Sequence, residues 1–185
     1  MRTEEQYDVF AKRMEAKYPK MFAKPYGGFA VEQGWWPIIE SLCGQIQSYT
    51  DWWNKNRELR PVVEQVVVTQ IKEKFGGLCF YYDGGDDKIH GMVRMAEAWA
   101  DHSCEECGAP GTSGGKGWIK NLCPTHRAEE DARYEERGVM VAAVFLLVIY
   151  GGMCVIVPMI GLGLFVGIGT ILAIARIVHY SEHGN

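Results

Sequence analysis

Three cysteines and one histidine between positions 104 and 126 form the pattern that most restricts how this chain can fold. The segment reads Cys104-x2-Cys107, then a fifteen-residue spacer, then Cys123-x2-His126. A two-residue gap lets both ligands of a pair turn towards one ion, and the spacer is long enough for a hairpin that returns the second pair to the first. Four soft or borderline ligands are typical of tetrahedral Zn²⁺ without an open position. The pattern therefore predicts a structural zinc-ribbon or zinc-knuckle site.

Two alternatives for these cysteines are a redox Cys-x2-Cys pair and ordinary core thiols. Neither accounts for a second half-site that carries a histidine at matching spacing. Thiolate ligands also indicate a reducing cytosol.

The C-terminal part of the chain is uncharged from Gly138 to Ala175, a run of 38 residues without Asp, Glu, Lys, Arg, His, Asn or Gln. A single helix of that length would measure about 57 Å, whereas a bilayer core is about 30 Å thick and takes about 20 residues to cross. Pro158 and Gly161 favour a turn between two spans, at about 139–157 and 160–178. We therefore predict a C-terminal transmembrane helical hairpin over 138–178, with a re-entrant loop or one long kinked span as alternatives.

Basic residues flank the uncharged run on both sides. Arg127, Arg133 and Arg137 precede it, and Arg176 with His179 follows its end. Because positive charge is retained on the cytoplasmic side of a membrane, both the N-terminal domain and the 179–185 tail are expected in the cytoplasm.

Within the run, Gly163 and Gly167 form a small-xxx-small pair. Such pairs allow close packing of the two spans, or of two copies of the chain in a homo-oligomer. The alternative is that glycine is simply common in membrane helices.

The first 101 residues have the periodicity of a small α-rich domain. We expect helices over 4–17, 36–56, 62–74 and 86–100, and one strand over 78–82. The third helix is rich in β-branched residues, so a strand over 66–69 is the alternative there. The zinc module, 102–127, would pack on this domain, and 128–137 would be a charged helical connector. The predicted fold class is α+β and α-rich, with a short β element, a zinc-ribbon end and the transmembrane hairpin.

Charge argues against nucleic acid as a partner. Residues 1–137 hold 18 basic and 22 acidic residues, a net of −4, whereas phosphate binding needs a surplus of Lys and Arg on one face. Lys116, Lys120 and Arg127 around Trp118 are the candidate interaction residues, since basic side chains beside an aromatic ring suit single strands. The carboxylates between them in sequence favour a solvated surface of mixed charge.

Candidates for catalysis are few. Asp86, Asp87 and His90 would lie on one helical turn and could bind a divalent ion. A turn with a helix N-cap is the interpretation we favour for them, so we name no catalytic residue.

Several sequence blocks between about 18 and 126 resemble one family. They include Tyr18-Pro19-Lys20, Gly34-Trp35-Trp36, the run from Gln70 to Gly85, Cys104-Glu-Glu-Cys107-Gly and Gly117-Trp118-Ile-Lys-Asn-Leu-Cys123. Together they look like a family of small uncharacterised zinc-binding proteins encoded by tailed phages and prophages. The resemblance implies a compact zinc-bearing domain in a phage or bacterial setting, and it brings no activity.

The combined expectation is a membrane-anchored, noncatalytic zinc-binding interaction protein, encoded by a phage or prophage. It would be a multi-pass protein of the bacterial host's inner membrane, in contact with the lipid bilayer and with a protein partner. The alternatives are a nucleic-acid-binding zinc module tethered to the membrane, and a small metal-dependent hydrolase or nuclease.

Overall fold

The computed structural model describes residues 4–56, 61–156, 169–177 and 179. The chain divides into two units, Met1–Asp131 and Ala132–Asn185, and each is considered by itself.

The elements follow one another in an α+β order. The helices are α1 (Glu4–Lys17), α2 (Trp36–Lys55), α3 (Asp87–Ala100) and α4 (Pro124–Ile156), and a short 3-10 helix, Gln33–Trp35, leads into α2. The strands are β1 (Phe29–Ala30), β2 (Glu64–Lys74), β3 (Gly77–Gly85), β4 (Thr112–Gly114) and β5 (Lys120–Leu122). Helices α1, α2 and α3 occupy the segments where the sequence predicts them.

The predicted third helix, 62–74, is wrong, because this segment forms strand β2. It pairs antiparallel with β3, from Glu64 opposite Gly85 to Lys74 opposite Gly77, and parallel with β1. The register shifts twice along β2, between Glu64 and Val67 and between Val68 and Gln70. β-Branched side chains fit this extended, half-buried surface better than a helix.

One hydrophobic core holds the first unit together. α2 packs on α3 and β2, and α3 packs on β3. The largest fully buried side chains come from α1, α2, β2, α3 and the segments between α1 and α2: Phe10, Met14, Met21, Trp35, Ile39, Ile46, Val66, Val68, Ile71 and Ile89. Burial of each such side chain stabilises the folded state by about 1.5–3 kcal/mol relative to exposure. The packed sheet and helices therefore hold the ends of the loops that follow in fixed positions.

Helix α3 begins at an N-cap that the sequence predicts. The Asp86 carboxylate accepts a hydrogen bond from the Ile89 backbone N–H at 3.0 Å, and its other oxygen accepts one from the Tyr49 hydroxyl at 2.7 Å. At the far end, the Glu97 carboxylate accepts from the Phe80 N–H at 3.0 Å, on the outer edge of β3. These bonds fix α3 against the sheet, and its C-terminus leads directly into the cysteine-rich segment.

Helix α4 corrects the prediction for the C-terminal part of the chain. Charged residues continue in it as far as Arg137, and its side chains are described to Ile149. The first part of α4, up to Arg137, is therefore too rich in charge to enter a bilayer core. In the part of the chain that the structure describes, no helix is both long enough and apolar enough to cross a membrane.

This finding contradicts the predicted transmembrane hairpin over 138–178 and the multi-pass inner-membrane localisation that depended on it. The predicted packing residues Gly163 and Gly167, and much of the second predicted span, lie outside the described residues.

Candidate metal centre

The four predicted ligands are contributed by two turns that face each other. Cys104 and Cys107 lie in a tight turn after α3, where the Gly108 N–H donates to the Cys104 carbonyl at 2.8 Å and the Cys104 N–H donates to the Ala109 carbonyl at 2.7 Å. Gly108 has a φ of +76°, which an L side chain adopts only with strain. This turn aims both sulfurs of the first pair in one direction.

The second pair follows the β4–β5 hairpin. β4 and β5 pair antiparallel from Thr112 opposite Leu122 to Gly114 opposite Lys120. Cys123 comes directly after β5, and His126 lies in the first turn of α4, which begins at Pro124. The hairpin therefore brings the second ligand pair back to the first, as the spacer length predicts.

The ligand atoms of the four side chains all lie within 4.8 Å of one another. The His126 Nδ1 atom is 3.4 Å from the Cys104 Sγ and 3.3 Å from the Cys123 Sγ, and the sulfurs of Cys107 and Cys123 are 3.9 Å apart. Cys104 and Cys123 are buried, and Cys107 is exposed. This arrangement brings together all four predicted ligands and could hold one metal ion.

Metal binding requires deprotonated thiols, and the local backbone favours this at Cys123. The His126 backbone N–H donates a hydrogen bond to the Cys123 sulfur, and this bond has the largest effect in lowering the pKa of Cys123 to about 7. Desolvation opposes the change, whereas the His126 ring and the neighbouring thiols add to it. Thiolate is therefore accessible at Cys123 near neutral pH.

Arg127 stabilises the hairpin next to the ligands. Its guanidinium donates to three backbone carbonyls of the β4–β5 hairpin: Gly114 at 2.6 Å, Lys120 at 2.8 Å and Thr112 at 3.0 Å. The planar fork of an arginine suits such a set of acceptors, since its donors point in fixed directions. Arg127 therefore acts within the module, not as part of an exposed basic face.

Lys120 is also engaged in internal contacts. Its ammonium lies 3.7 Å from the Glu105 carboxylate and 4.0 Å from that of Glu130. Glu105 is 3% exposed, and burial raises its pKa to about 7 against the opposing effect of Lys120. Of the predicted interaction residues, Lys116 and Trp118 alone are exposed, and Lys116 has contacts of its own. The basic face that a nucleic-acid-binding module would need is thus missing two of its three predicted cations.

The cysteine turn is joined closely to the helical core. The Gly34 N–H donates to the Glu105 carbonyl at 2.7 Å, and the Trp35 indole donates to the Ser103 carbonyl at 2.9 Å. A Cβ on Gly34 would lie 2.6 Å from the Gly108 nitrogen and nearer still to the Cys104 carbonyl. Only glycine fits here, so the 3-10 helix before α2 packs directly against the turn that carries Cys104 and Cys107, which we call the metal turn.

Asn121 joins the same module to the end of α3. It is fully buried, and its side-chain amide donates to the backbone carbonyls of Ala100 and Asp101. This contact could not be predicted from the sequence, because an asparagine between a lysine and a leucine in a short strand has no distinctive pattern.

The alternative divalent site at Asp86, Asp87 and His90 does not form a ligand cluster. Both oxygens of Asp86 are used in the N-cap and in the bond to Tyr49. Among the described residues, the Cys104 cluster is the one place where three or more His, Cys, Asp or Glu ligand atoms converge.

Two residues of the β2–β3 hairpin beside the metal module were not singled out from the sequence. Phe75 is an exposed aromatic residue at the β2–β3 turn with a φ of +53°, and Glu73 hydrogen-bonds both that turn and Trp118. No sequence pattern marks a phenylalanine that will adopt a positive φ, and the Glu73–Trp118 bond joins residues 45 positions apart.

Comparison with known proteins found no match to this chain among family descriptions, curated proteins or solved structures.

Proposed function

We propose that this chain is a noncatalytic interaction protein whose α+β domain is completed by a structural zinc ion at Cys104, Cys107, Cys123 and His126. The observation that carries the proposal is the convergence of four protein ligand atoms within 4.8 Å. Four such ligands fill a tetrahedral shell, so water or substrate would have no position on the ion.

The choice of zinc rests on ligand type and on the size of the cluster. Zn–S bonds are about 2.3 Å long, which gives a sulfur-to-sulfur edge of about 3.8 Å in a tetrahedron. The sulfurs of Cys107 and Cys123 lie 3.9 Å apart. Three thiolates and one imidazole form a soft set, which suits Zn²⁺ and is poorly suited to Mg²⁺ or Ca²⁺.

A structural role is supported by what surrounds the ligands. The Arg127, Asn121 and Gly34 contacts all connect the ligand turns to the hairpin or to the helical core. None of them aims a polar group at an open position beside the cluster. An ion bound here would therefore fix the hairpin and the start of α4 on the domain, leaving the exposed turns to contact a partner.

A phage or prophage origin is part of this proposal. It rests on the sequence blocks between about 18 and 126 that resemble such a family.

The metal content of purified protein tests the proposal. We expect one zinc ion per chain, measured by inductively coupled plasma mass spectrometry, and loss of that ion in a Cys123→Ser variant. Cys79→Ser is the matched control, because Cys79 is a free thiol on β3 outside the cluster. Equal zinc content in the two variants, or a different metal at full occupancy, would overturn the zinc assignment.

The structural role of the ion has its own test. Addition of a tight chelator should unfold the β4–β5 hairpin, seen as loss of amide protection in hydrogen exchange. A chelator that removed the metal and left the hairpin protected would argue against a structural ion.

A further inference from the structure

A groove of about 380 Å³ opens to solvent between α2 and α3. The Trp35 indole, just before α2, donates to the Ser103 carbonyl, just after α3, at 2.9 Å. The Tyr49 hydroxyl, in the second half of α2, donates at 2.7 Å to Asp86, which caps the start of α3. The two helices are therefore antiparallel, and the groove runs along both of them.

The walls of the groove are apolar. Nine residues line it, and none of them carries a charge. On the α3 side, Met95 is 71% exposed and Trp99 is 68% exposed. Leu42, from α2, also lines the groove but is buried, so the groove reaches down to the core. Soluble domains seldom present such a contiguous apolar surface to water unless a partner covers it.

The polar groups of the groove are few and neutral. Ser41 and Gln45 lie one turn apart on α2, and both are exposed. Within the described part of the chain, neither side chain has a hydrogen-bond partner, and the same is true of the Trp99 indole N–H. An ionised group placed in this groove would lose hydration without meeting an opposite charge in the lining. The groups that fill the groove are therefore apolar or neutral.

The length of the groove corresponds to two turns of a helix. On α3, Met92, Met95 and Trp99 follow one another at i, i+3 and i+7 on one face, a distance of about 10 Å at 1.5 Å per residue. The lining of α2, from Pro37 to Gln45, spans about 12 Å. An amphipathic helix presents its apolar anchors at the same spacing. Methionine side chains also adapt to anchors of different shape.

Two other occupants match the groove less well. A stable interface between folded proteins takes about 20–30 residues from each side, whereas nine line this groove, so a second copy of the chain would find too small a contact. A small apolar ligand usually has about 70–90% of its surface buried. Walls as exposed as Met95 and Trp99 do not enclose a ligand to that extent.

We infer that the groove between α2 and α3 binds an amphipathic helix of a protein partner through three uncharged, apolar side chains at i, i+3 or i+4, and i+7. The inference rests on the proposed role in protein interaction, but the groove contains none of the four metal ligands. The middle anchor packs towards Leu42, and Met95 and Trp99 cover the side of the bound helix. Ser41 and Gln45 hydrogen-bond neutral polar side chains on its flank.

Synthetic helices provide the probe. Alanine-rich peptides of about 15 residues, long enough to form helix, carry Leu, Phe, Met or Trp in all combinations at i, i+4 and i+7. Each has a counterpart of the same composition with these residues at i, i+2 and i+5, where they do not share a face. Binding to the zinc-loaded full chain is measured by fluorescence anisotropy. Dodecanol is titrated in parallel as a small apolar ligand, and sedimentation velocity gives the oligomeric state.

Two variants alter the groove, and each has a matched control. Met95→Lys places a charge on its wall, whereas His90→Lys adds a charge at an exposed position of α3 that does not line it. Trp99→Ala removes an aromatic anchor, whereas Trp118→Ala removes a tryptophan of nearly equal exposure, 67%, from the turn between β4 and β5. Because Met95 and Trp99 are exposed, both groove variants should fold as the parent does.

We expect peptides with three apolar residues on one face to bind, and their counterparts to bind at least about tenfold more weakly. Affinity should also fall at least about tenfold in Met95→Lys and Trp99→Ala, because anchors in the centre of such a contact dominate binding. His90→Lys and Trp118→Ala should bind the peptides as the parent does.

The inference would be overturned if no peptide bound, if a peptide and its counterpart bound equally, or if Met95→Lys left the affinity unchanged. Dodecanol binding without peptide binding would instead establish a small-ligand site. A dimer that Met95→Lys dissociates would place a second copy in the groove, and either result also overturns the inference.

Zinc content, measured on the same samples, separates this inference from the proposed metal site. One zinc ion per chain without peptide binding would remove the docking site and leave the metal assignment standing. Peptide binding by a chain that holds no zinc would support the groove and remove the metal assignment.

Discussion

Replacing Arg127 by alanine should weaken zinc binding although Arg127 is not a ligand. Its guanidinium donates to the carbonyls of Thr112, Gly114 and Lys120, and these are the bonds that join α4 to the β4–β5 hairpin. A hydrogen bond contributes about 1 kcal/mol net, and the bond to Thr112 is exposed and counts for less. The variant should therefore lose about 2 kcal/mol from the folded module.

This loss appears in the zinc affinity if the hairpin forms only with metal bound. About 2 kcal/mol corresponds to roughly a 30-fold rise in the zinc dissociation constant, since 1.4 kcal/mol is tenfold. Competition with a chromophoric chelator at neutral pH measures it directly. Arg94→Ala is the control, because Arg94 is an exposed arginine on α3, remote in sequence from the ligands.

An intermediate variant sharpens the test. Arg127→Lys keeps the charge without the planar fork, so we expect an affinity between those of the parent and Arg127→Ala. Zinc binding by Arg127→Ala as tight as that of Arg94→Ala would contradict a stabilising role for the Arg127 hydrogen bonds. A change in oligonucleotide binding at constant zinc affinity would also contradict that role, because Arg127 would then belong to an external surface.

The remaining predictions concern a glycine pair and a buried thiol. Gly34→Ala should destabilise the domain by about 3 kcal/mol, because the added Cβ would lie 2.6 Å from the Gly108 nitrogen, whereas Gly91→Ala, in α3 with open space around it, should stabilise by about 1 kcal/mol. Urea unfolding of the zinc-loaded variants measures both, and equal effects would contradict the close approach of Gly34 to the metal turn. Burial, with a smaller effect of the Glu40 carboxylate, raises the pKa of the Cys43 thiol to about 12. A raised folded-state pKa gives stability that is complete below the unfolded value of about 9 and is lost between pH 9 and 12. Denaturation across that window should show a smaller decline in Cys43→Ala than in the parent, and an unchanged slope would show that Cys43 ionises as freely as in the unfolded chain.

The candidate metal site could be read from sequence because ligand spacing is a local property. Two-residue gaps and a hairpin-length spacer bring Cys104, Cys107, Cys123 and His126 within 4.8 Å in the structure, as the pattern predicts. The α3 boundary was similarly accessible, since Asp86 supplies an N-cap whose chemistry involves only residues three positions away.

Strand β2 was mistaken for a helix because its bulges imitate helical spacing. Its buried residues are Val66, Val68 and Ile71, preceded by Val63, and the two register shifts fall between them. At each register shift β2 contains one extra residue, so the next side chain that points into the core is three positions further along the strand instead of two. The strict alternation of a regular strand is therefore lost. The same spacing on one face predicts a helix when periodicity alone is considered.

Contacts between distant parts of the chain could not be predicted from the sequence. The Glu73–Trp118 bond joins residues 45 positions apart, and the Gly34–Glu105 bond depends on how α2 meets the metal turn. The C-terminal prediction rested on hydropathy alone, whereas the described residues contain no helix that is both long enough and apolar enough to span a membrane.

X-ray absorption at the zinc edge, on the zinc-loaded full chain, tests the closed site most directly. We predict three sulfur neighbours at about 2.3 Å and one nitrogen at about 2.0 Å, with no further oxygen. Cys104→Ser should replace one sulfur by a lighter atom, while Cys79→Ser should leave the spectrum unchanged. An oxygen ligand in the parent protein would indicate an open coordination position and would contradict the structural, noncatalytic role. Fewer than three sulfurs would contradict the assigned ligands.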